Sequence, residues 1–391
     1  MDKRFQSYLN SSENILKQYD GKLPLSIHLK NFFQLHKKHG STDRKIISNL
    51  CYCCFRLGKA FEEFSFLERM EMGYFICTDE PKQFESFYEK EWIENWSNQS
   101  KNRIKFLNKK YPSFLEKLFP FKNELGNLND AKKFIESHLI QPNLFLRIRP
   151  RKASIVLKKL NDANIDYTVL KVDCIVIKNA TNTQQLLKWN DEVVVQDYSS
   201  QQTQELMNII KNSLQQPIKL WDCCAASGGK TIMAKDVFGE LDITVSDERK
   251  TILKNLQQRF TEAQIKKYHS FVADLTKPIQ FNKKFNVIIC DVPCSGSGTW
   301  SRTPEQLYFF KQESINTYHQ IQIKIATNVQ ENLEVGGYLL YLTCSVFKSE
   351  NEDIIEKLLA KNNLKLVAMK YFEGYENKTD TMFGALLKKL S

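Results

Sequence analysis

Residues 219–238 read KLWDCCAASGGKTIMAKDVF. A short apolar strand enters a turn of small residues and glycines, and a helix-forming stretch follows. Small residues let the backbone approach a ligand closely, and a helix N-terminus offers unpaired N–H groups. The trailing Gly-Lys-Thr invites a phosphate-loop reading. That reading fails on spacing, because the loop needs glycine at position 224 and Cys224 stands there. The dinucleotide fingerprint GxGxxG is also absent. A ligand that carries a carboxylate and a nucleoside suits this turn better than a triphosphate does.

Outward from this stretch the chain alternates strand and helix. EVVVQD (192–197), DITVSD (242–247), SFVAD (270–274), FNVIICDVP (285–293), GYLLYLTCS (337–345), LKLVAMK (364–370) and MFGALLKK (382–389) read as further strands, most of them separated by helical stretches. Such alternation predicts an α/β sheet with helices on both faces. Asp247 ends the second strand, where a carboxylate can accept hydrogen bonds from ribose hydroxyls. Asp274 follows the third, placed to accept from an adenine amino group. In register with the first turn, both suit an S-adenosylmethionine site on a methyltransferase sheet.

Two further clusters place a cysteine just past the carboxyl end of an apolar strand. These are CDVPCSGSGTWSRTPE (290–305), with Cys294, and LTCSVFKSENE (342–352), with Cys344. Open α/β sheets put their active sites at those strand ends. Their flanking glycines and polar residues do not read as core, although a small buried cysteine is the plainer alternative. Cysteines beside a methyl donor suit a carbon acceptor. Cytosine C5 is too weak a nucleophile to take a methyl group by itself, whereas a thiolate added at C6 makes C5 enamine-like.

The N-terminal part has a different texture. Residues 1–140 carry apolar residues at helical spacing, as in RKIISNLCYCCFRLGKAF (44–61), without strand-like alternation. Cys51, Cys53 and Cys54 lack zinc-site spacing with His36 and His39 and read as buried helix packing, so no metal is expected. From Asn143, NLFLRIRP, RKASIVLKKLNDAN, DYTVLK and CIVIKN form a β-α-β-β piece, a small α+β module of the kind that binds RNA.

The formal net charge of the 391-residue chain is +11, and all of it sits in one block: residues 101–160 hold 15 Lys and Arg against 4 Asp and Glu. A polyanion partner, most simply nucleic acid, is expected there rather than a membrane. Arg147, Arg149, Arg151 and Lys152 read as the end of a phosphate track. No apolar run approaches the ~20 residues that span a bilayer. MDKRFQSYLNSSEN has no signal-peptide core, and ten cysteines without one suggest reduced thiols, so a cytoplasmic protein is expected.

Together these motifs resemble the RNA cytosine-5 methyltransferases of the Rsm/Sun type, over about residues 10–391 and most specifically in the catalytic half. CCAASGGKT is similar to the family's donor-binding motif, DVPCSGSG to its Asp-Pro-Cys motif and TCSVFKSENE to its Thr-Cys-Ser motif. VQDYSSQ (195–201) and TMFGALLKK (381–389) resemble its flanking segments. The resemblance implies S-adenosylmethionine as cofactor, held by Cys224, Ala225, Ala226, Ser227, Gly228, Gly229 and Lys230 together with Asp247, Asp274 and Asp291. Cys344 would be the C6 nucleophile, and Cys294 would assist elimination and product release.

It implies an α/β fold, a Rossmann-like S-adenosylmethionine methyltransferase sheet at 191–391. A small α+β RNA-binding-like module at 141–190 and an all-helical RNA-positioning domain at 1–140 would precede it. The partner would be RNA, most simply 16S ribosomal RNA, with no obligate protein partner. Ser227 departs from the family's usual proline, keeping small size but losing the fixed φ. A non-catalytic RNA-binding or ribosome-assembly factor with a relic donor pocket is the alternative from another class, and a DNA cytosine-5 methyltransferase is a further one. Intact Cys294, Cys344 and acidic strand ends weigh against the former, and the second cysteine in TCS against the latter.

Overall fold

The computed structural model describes residues 3–78, 88–179 and 181–391. They form two compact units. One takes in residues 1–123, 129–141 and 299–311, and the other 124–128, 142–298 and 312–391.

The first unit is helical. Its longer helices, Lys3–Gln18, Leu25–Leu35, Ser41–Arg56 and Phe66–Cys77, bury Phe5, Leu9, Ile15, Leu25, Leu50, Cys51, Cys54 and Phe55 against one another. Cys53 is buried as well. A reciprocal cap fixes the start of the fourth helix: the Ser65 hydroxyl accepts from the Glu68 N–H, and the Glu68 carboxylate accepts from the Ser65 N–H.

Residues 299–311 lie in the chain's catalytic half by sequence but fold with this unit. The buried Arg56 guanidinium shows why. It donates to the carbonyls of His138 (3.1 Å), Ile140 (3.2 Å) and Ser301 (2.7 Å), joining three separate stretches of chain. A buried arginine with every bond to a carbonyl is tolerated because its five donors need acceptors more than counter-charge.

The second unit holds two sheets. Strands β1 (Leu144–Ile148), β2 (Tyr167–Lys171), β3 (Cys174–Ile177) and β4 (Val193–Val195) form a small antiparallel sheet in the order β2-β3-β1-β4. Helix Ala153–Asp162 packs Val156 and Leu160 against its Leu146, Ile148, Ile175 and Ile177. EVVVQD, expected among the strands of the catalytic half, instead supplies β4. Pairing there covers the edge of β1 that β3 leaves open. The small module therefore reaches past residue 190.

The large sheet comprises β5 (Ile218–Asp222), β6 (Leu241–Asp247), β7 (His269–Val272), β8 (Phe285–Asp291), β9 (Leu333–Thr343), β10 (Leu364–Phe372) and β11 (Met382–Lys389). Their order is β10-β11-β9-β8-β5-β6-β7. Pairing is parallel from β9 to β7, and β11 is antiparallel to both its neighbours. Central strands are buried on both sides. Trp221, Ile288, Leu339 and Tyr341 face one core, while Leu220, Val287, Ile289 and Leu340 face the other. No helix among the described residues is long and apolar enough to cross a membrane.

Ions fasten the small sheet to the helix Gly229–Phe238 that follows β5. Arg147, 2% exposed, donates to Asp236 Oδ2 at 2.7 Å and to Gln196 Oε1 at 2.9 Å. Arg149 donates to Asp236 Oδ1 at 2.7 Å and to the carbonyls of Asn190 and Ala263, each at 2.9 Å. One carboxylate thus serves two largely buried guanidinium groups. Removing one partner of a buried pair typically costs about 3–5 kcal/mol, because the other charge stays desolvated. Asp236→Ala should therefore lower stability in urea unfolding by that order. A loss under about 1 kcal/mol would show that the two arginines find other compensation.

Candidate active site

Chain order reverses at the boundary between β5 and β8: β5, β6 and β7 run one way across the sheet, and β8 and β9 the other. Ligands of open α/β sheets sit in the crevice beyond the carboxyl ends of strands at such a switch point. The glycine turn, the acidic residues Asp247, Asp274 and Asp291 and both cysteine loops all lie at or just after the carboxyl ends of strands in the large sheet.

The turn after β5 is tight. The Gly228 N–H donates to the Ala225 carbonyl at 2.7 Å, with Ala226 at φ +45° and Gly228 at φ +84°. A Cβ on Gly228 would stand 2.6 Å from the Phe260 ring, so glycine is required there for space as well as for φ. Ala226 has no such licence. A non-glycine residue in that region costs about 1–3 kcal/mol and persists only where its surroundings hold it. Asp247 does part of this: its Oδ2 accepts from the Ala226 N–H at 3.0 Å, while Oδ1 accepts from the Arg249 N–H (2.9 Å) and Nε (3.1 Å).

Lys230, on the first turn of helix Gly229–Phe238, donates to Asp291 Oδ2 at 3.1 Å and to Ser200 Oγ at 2.9 Å. This joins the ends of β5 and β8 to the segment after β4. Asp274 lies apart. It is exposed, and its carboxylate accepts from the Thr276 N–H and hydroxyl and pairs with Lys277. The Thr276 hydroxyl is the main cause that holds it below its ordinary range.

The two cysteines meet. Cys294 Sγ lies 3.3 Å from Cys344 Sγ, and both side chains are partly exposed. The bond to Cys344, followed by burial, pushes the Cys294 thiol well above its usual range, so Cys294 keeps its proton. Both loops hang on Glu350, which is fully buried. Its Oε2 accepts from the Ser295 N–H (2.9 Å) and Gln322 Nε2 (2.7 Å), and its Oε1 from the Ser345 hydroxyl (2.7 Å). Gly298 completes the junction, its N–H donating to the Cys344 carbonyl at 2.8 Å. A Cβ there would stand 2.0 Å from the Thr381 carbonyl oxygen.

The basic quartet does not form an open track. Arg147 and Arg149 are spent on Asp236, and Lys152 Nζ reaches Asp191 at 3.3 Å. Arg151 alone of the four is exposed. The expectation of a phosphate track at Arg147, Arg149, Arg151 and Lys152 is corrected accordingly. Sequence charge counts cations without showing that Asp236, 87 residues beyond Arg149, would neutralise them. Among the described residues, no group of three or more His, Cys, Asp or Glu side chains is placed to hold a metal ion.

Glu350, Asp222 and Arg259 escaped sequence reasoning. Glu350 looks like any acid in a polar run, and nothing in the spacing separates it from Glu352. Asp222 sits inside the strand-turn motif, yet its role is structural: fully buried, it accepts from the Thr231 hydroxyl at 2.6 Å. Arg259 reads as one more polar residue on an amphipathic helix.

Sheet order and strand-end site together define a Rossmann-like methyltransferase fold. Residues 209–387 match the model of the family described as 16S rRNA methyltransferase RsmB/F, so the resemblance read from the motifs holds over that span. A curated relative, the probable ribosomal RNA small subunit methyltransferase B of Coxiella burnetii, is 29% identical over 233 residues, covering 57% of this chain and 53% of the relative. That of Bacillus subtilis is 26% identical over 239 residues, 59% of this chain and 52% of the relative. The chain thus spans about half the length of these relatives. Among solved structures, PH0851 superposes with a TM-score of 0.71 at 19% identity over 99% of this chain and 98% of that one. NSun6 from Pyrococcus horikoshii with SFG gives 0.59 at 14% identity over 70% and 97%. At such identities the two show a shared fold.

Asp222 gives the site a pH signature. Burial pushes its carboxyl up to about 7, and its Oδ1 has no partner among the described residues. Between the ordinary carboxyl range and pH 7 the folded chain keeps a proton that the unfolded chain has released. Stability from this group therefore falls as pH rises through that window and stays low above it. Asp222→Asn, which can still accept from Thr231, should flatten the decline. Thermal midpoints at pH 5 and pH 8 check this: the variant should lose less than the parent between the two. Equal losses would reject the assignment.

Proposed function

We propose that this chain transfers a methyl group from S-adenosylmethionine to C5 of a cytosine in RNA, with 16S ribosomal RNA as the substrate. The observation that carries the reading is the 3.3 Å approach of Cys294 and Cys344, in the loops that follow β8 and β9. The family description and the names of the relatives support ribosomal RNA.

The residues present fit the donor. A carboxylate has about four acceptor positions, so Asp247 can bind ribose hydroxyls beside its bonds to Ala226 and Arg249. The turn at 225–228 brings backbone close, and the helix that starts at Gly229 presents its N-terminus. When bound, S-adenosylmethionine supplies an electrophilic methyl group on a sulfonium.

The rest falls to the chain. The Cys344 thiolate adds to cytosine C6, which raises electron density at C5 and makes it the nucleophile. After methylation the C5 proton must leave to a base, and the C5–H electrons form the C5–C6 double bond as the C6–S bond breaks. Cys294, against Cys344 and keeping its proton, would protonate the departing thiolate. Asp291, held by Lys230, lies between the donor turn and the cysteine loops. In this reading the helical unit and the small module position the RNA, and the protein works in the cytoplasm, where ribosomal RNA is at hand.

Bisulfite mapping of ribosomal RNA incubated with the protein and S-adenosylmethionine tests the proposal. Cys344→Ala should lose at least about 1,000-fold in turnover, the scale of removing a covalent nucleophile. Cys294→Ala should accumulate a protein–RNA adduct that survives denaturing gels. 5-Methylcytosine formed by Cys344→Ala would rule the mechanism out.

A further inference from the structure

We propose that Arg259 is the positioning residue of the donor turn, its guanidinium holding residues 225–228 bent for S-adenosylmethionine by bridging Ser227 to Asn190. The inference rests on the donor-site reading above and concerns how that site keeps its shape.

Ala226 sits at φ +45° between two anchors. On one side Asp247 takes the Ala226 N–H. On the other, Arg259 Nη1 donates to Ser227 Oγ at 2.6 Å and to the Ser227 carbonyl at 3.1 Å. Its Nε donates to Asn190 Oδ1 at 3.0 Å. Asn190 is itself fixed, since its Nδ2 donates to Glu262 at 2.6 Å and its carbonyl accepts from Arg149 at 2.9 Å. The turn is therefore tied through a planar fork to the junction between the two sheets. Lysine could not reproduce that geometry, having one nitrogen where the fork uses two.

Ser227 itself stays on the negative-φ side, and among the described residues its N–H makes no hydrogen bond. Proline, which lacks that donor, would leave no hydrogen bond unmade there. A ring at 227 would restrict the backbone of both 226 and 227 and so stand in for the clamp in this proposal. Serine needs the clamp, and Arg259 supplies it.

The test measures S-adenosylmethionine binding by calorimetry, and the donor KM and kcat on ribosomal RNA, for the full chain and four variants. Arg259→Met should weaken donor binding about 10- to 100-fold, the range for lost hydrogen bonds from a charged group. kcat should stay within about twofold and the RNA KM should not change. Arg259→Lys should behave as Arg259→Met does. Ser227→Ala, which removes only the hydroxyl, should cost about 2- to 10-fold and guards against misfolding of the arginine variants. Ser227→Pro combined with Arg259→Met should return affinity to within about threefold of the parent, a rescue that a merely structural role for Arg259 would not produce. Parental affinity in Arg259→Met or Ser227→Ala, or no rescue by proline, would overturn the inference while leaving the donor site standing. No binding by the parent chain would overturn the donor reading and this inference with it.

Discussion

The parallel pairing of β5 with β6 on one side and β8 on the other governs everything that follows. Because the chain runs outward in both directions from that boundary, the loops after β5 and β8 diverge and leave a crevice at their carboxyl ends. Both strands are buried on their two faces, so their ends cannot shift without breaking the core. The turn at 225–228 and the loop at 291–298 therefore project from fixed points. The strained φ of Ala226 is sustained in part because β5 ends rigidly and Asp247, at the end of the adjacent β6, meets the Ala226 amide.

Glu350 performs the comparable task for the cysteines. Burying a carboxylate is expensive unless its oxygens are bonded, and here three donors from three different segments converge on it. Two of them, Ser295 and Ser345, follow Cys294 and Cys344 directly. The spacing of the thiols is thus set by the residue after each cysteine rather than by the cysteines themselves. The loops are thus held without the sulfur atoms, whose side-chain bond among the described residues is to each other, as the proposed covalent step would need.

Legibility in the sequence followed how local each feature was. Strands β5 to β11 were readable because apolar runs bounded by acids and glycines declare themselves within a few residues. The glycine turn and both cysteine loops were readable for the same reason. EVVVQD was correctly a strand, but its sheet depends on which edge of β1 stands open, and no window of sequence contains that. Residues 299–311 went astray likewise: Arg56 claims the Ser301 carbonyl across 245 positions. Arg259 and Glu350 were invisible because a polar residue's importance lies in what it meets.

The charge block illustrates the same limit and refines the proposed RNA contact. Of its 15 cations, Arg103 and Arg147 are buried, and Lys110, Lys117, Lys132, Lys133, Arg149, Lys152 and Lys159 each pair with a carboxylate. Six remain, of which Lys122, Arg151 and Lys158 are exposed on separate segments and three share one helix. Lys101, Lys105 and Lys109 recur every four residues along helix Ser100–Lys110, so they share one face, about 6 Å apart along the axis. None of the three has an ion-pair partner among the described residues. Three like charges on one helical face repel one another and destabilise the helix unless something anionic lies across them. A stripe with that repeat suits successive phosphates of a nucleic acid strand far better than the neutralised arginines of β1 do. In the proposed reading, the block's attraction for RNA would therefore sit on the helical unit rather than on the small sheet.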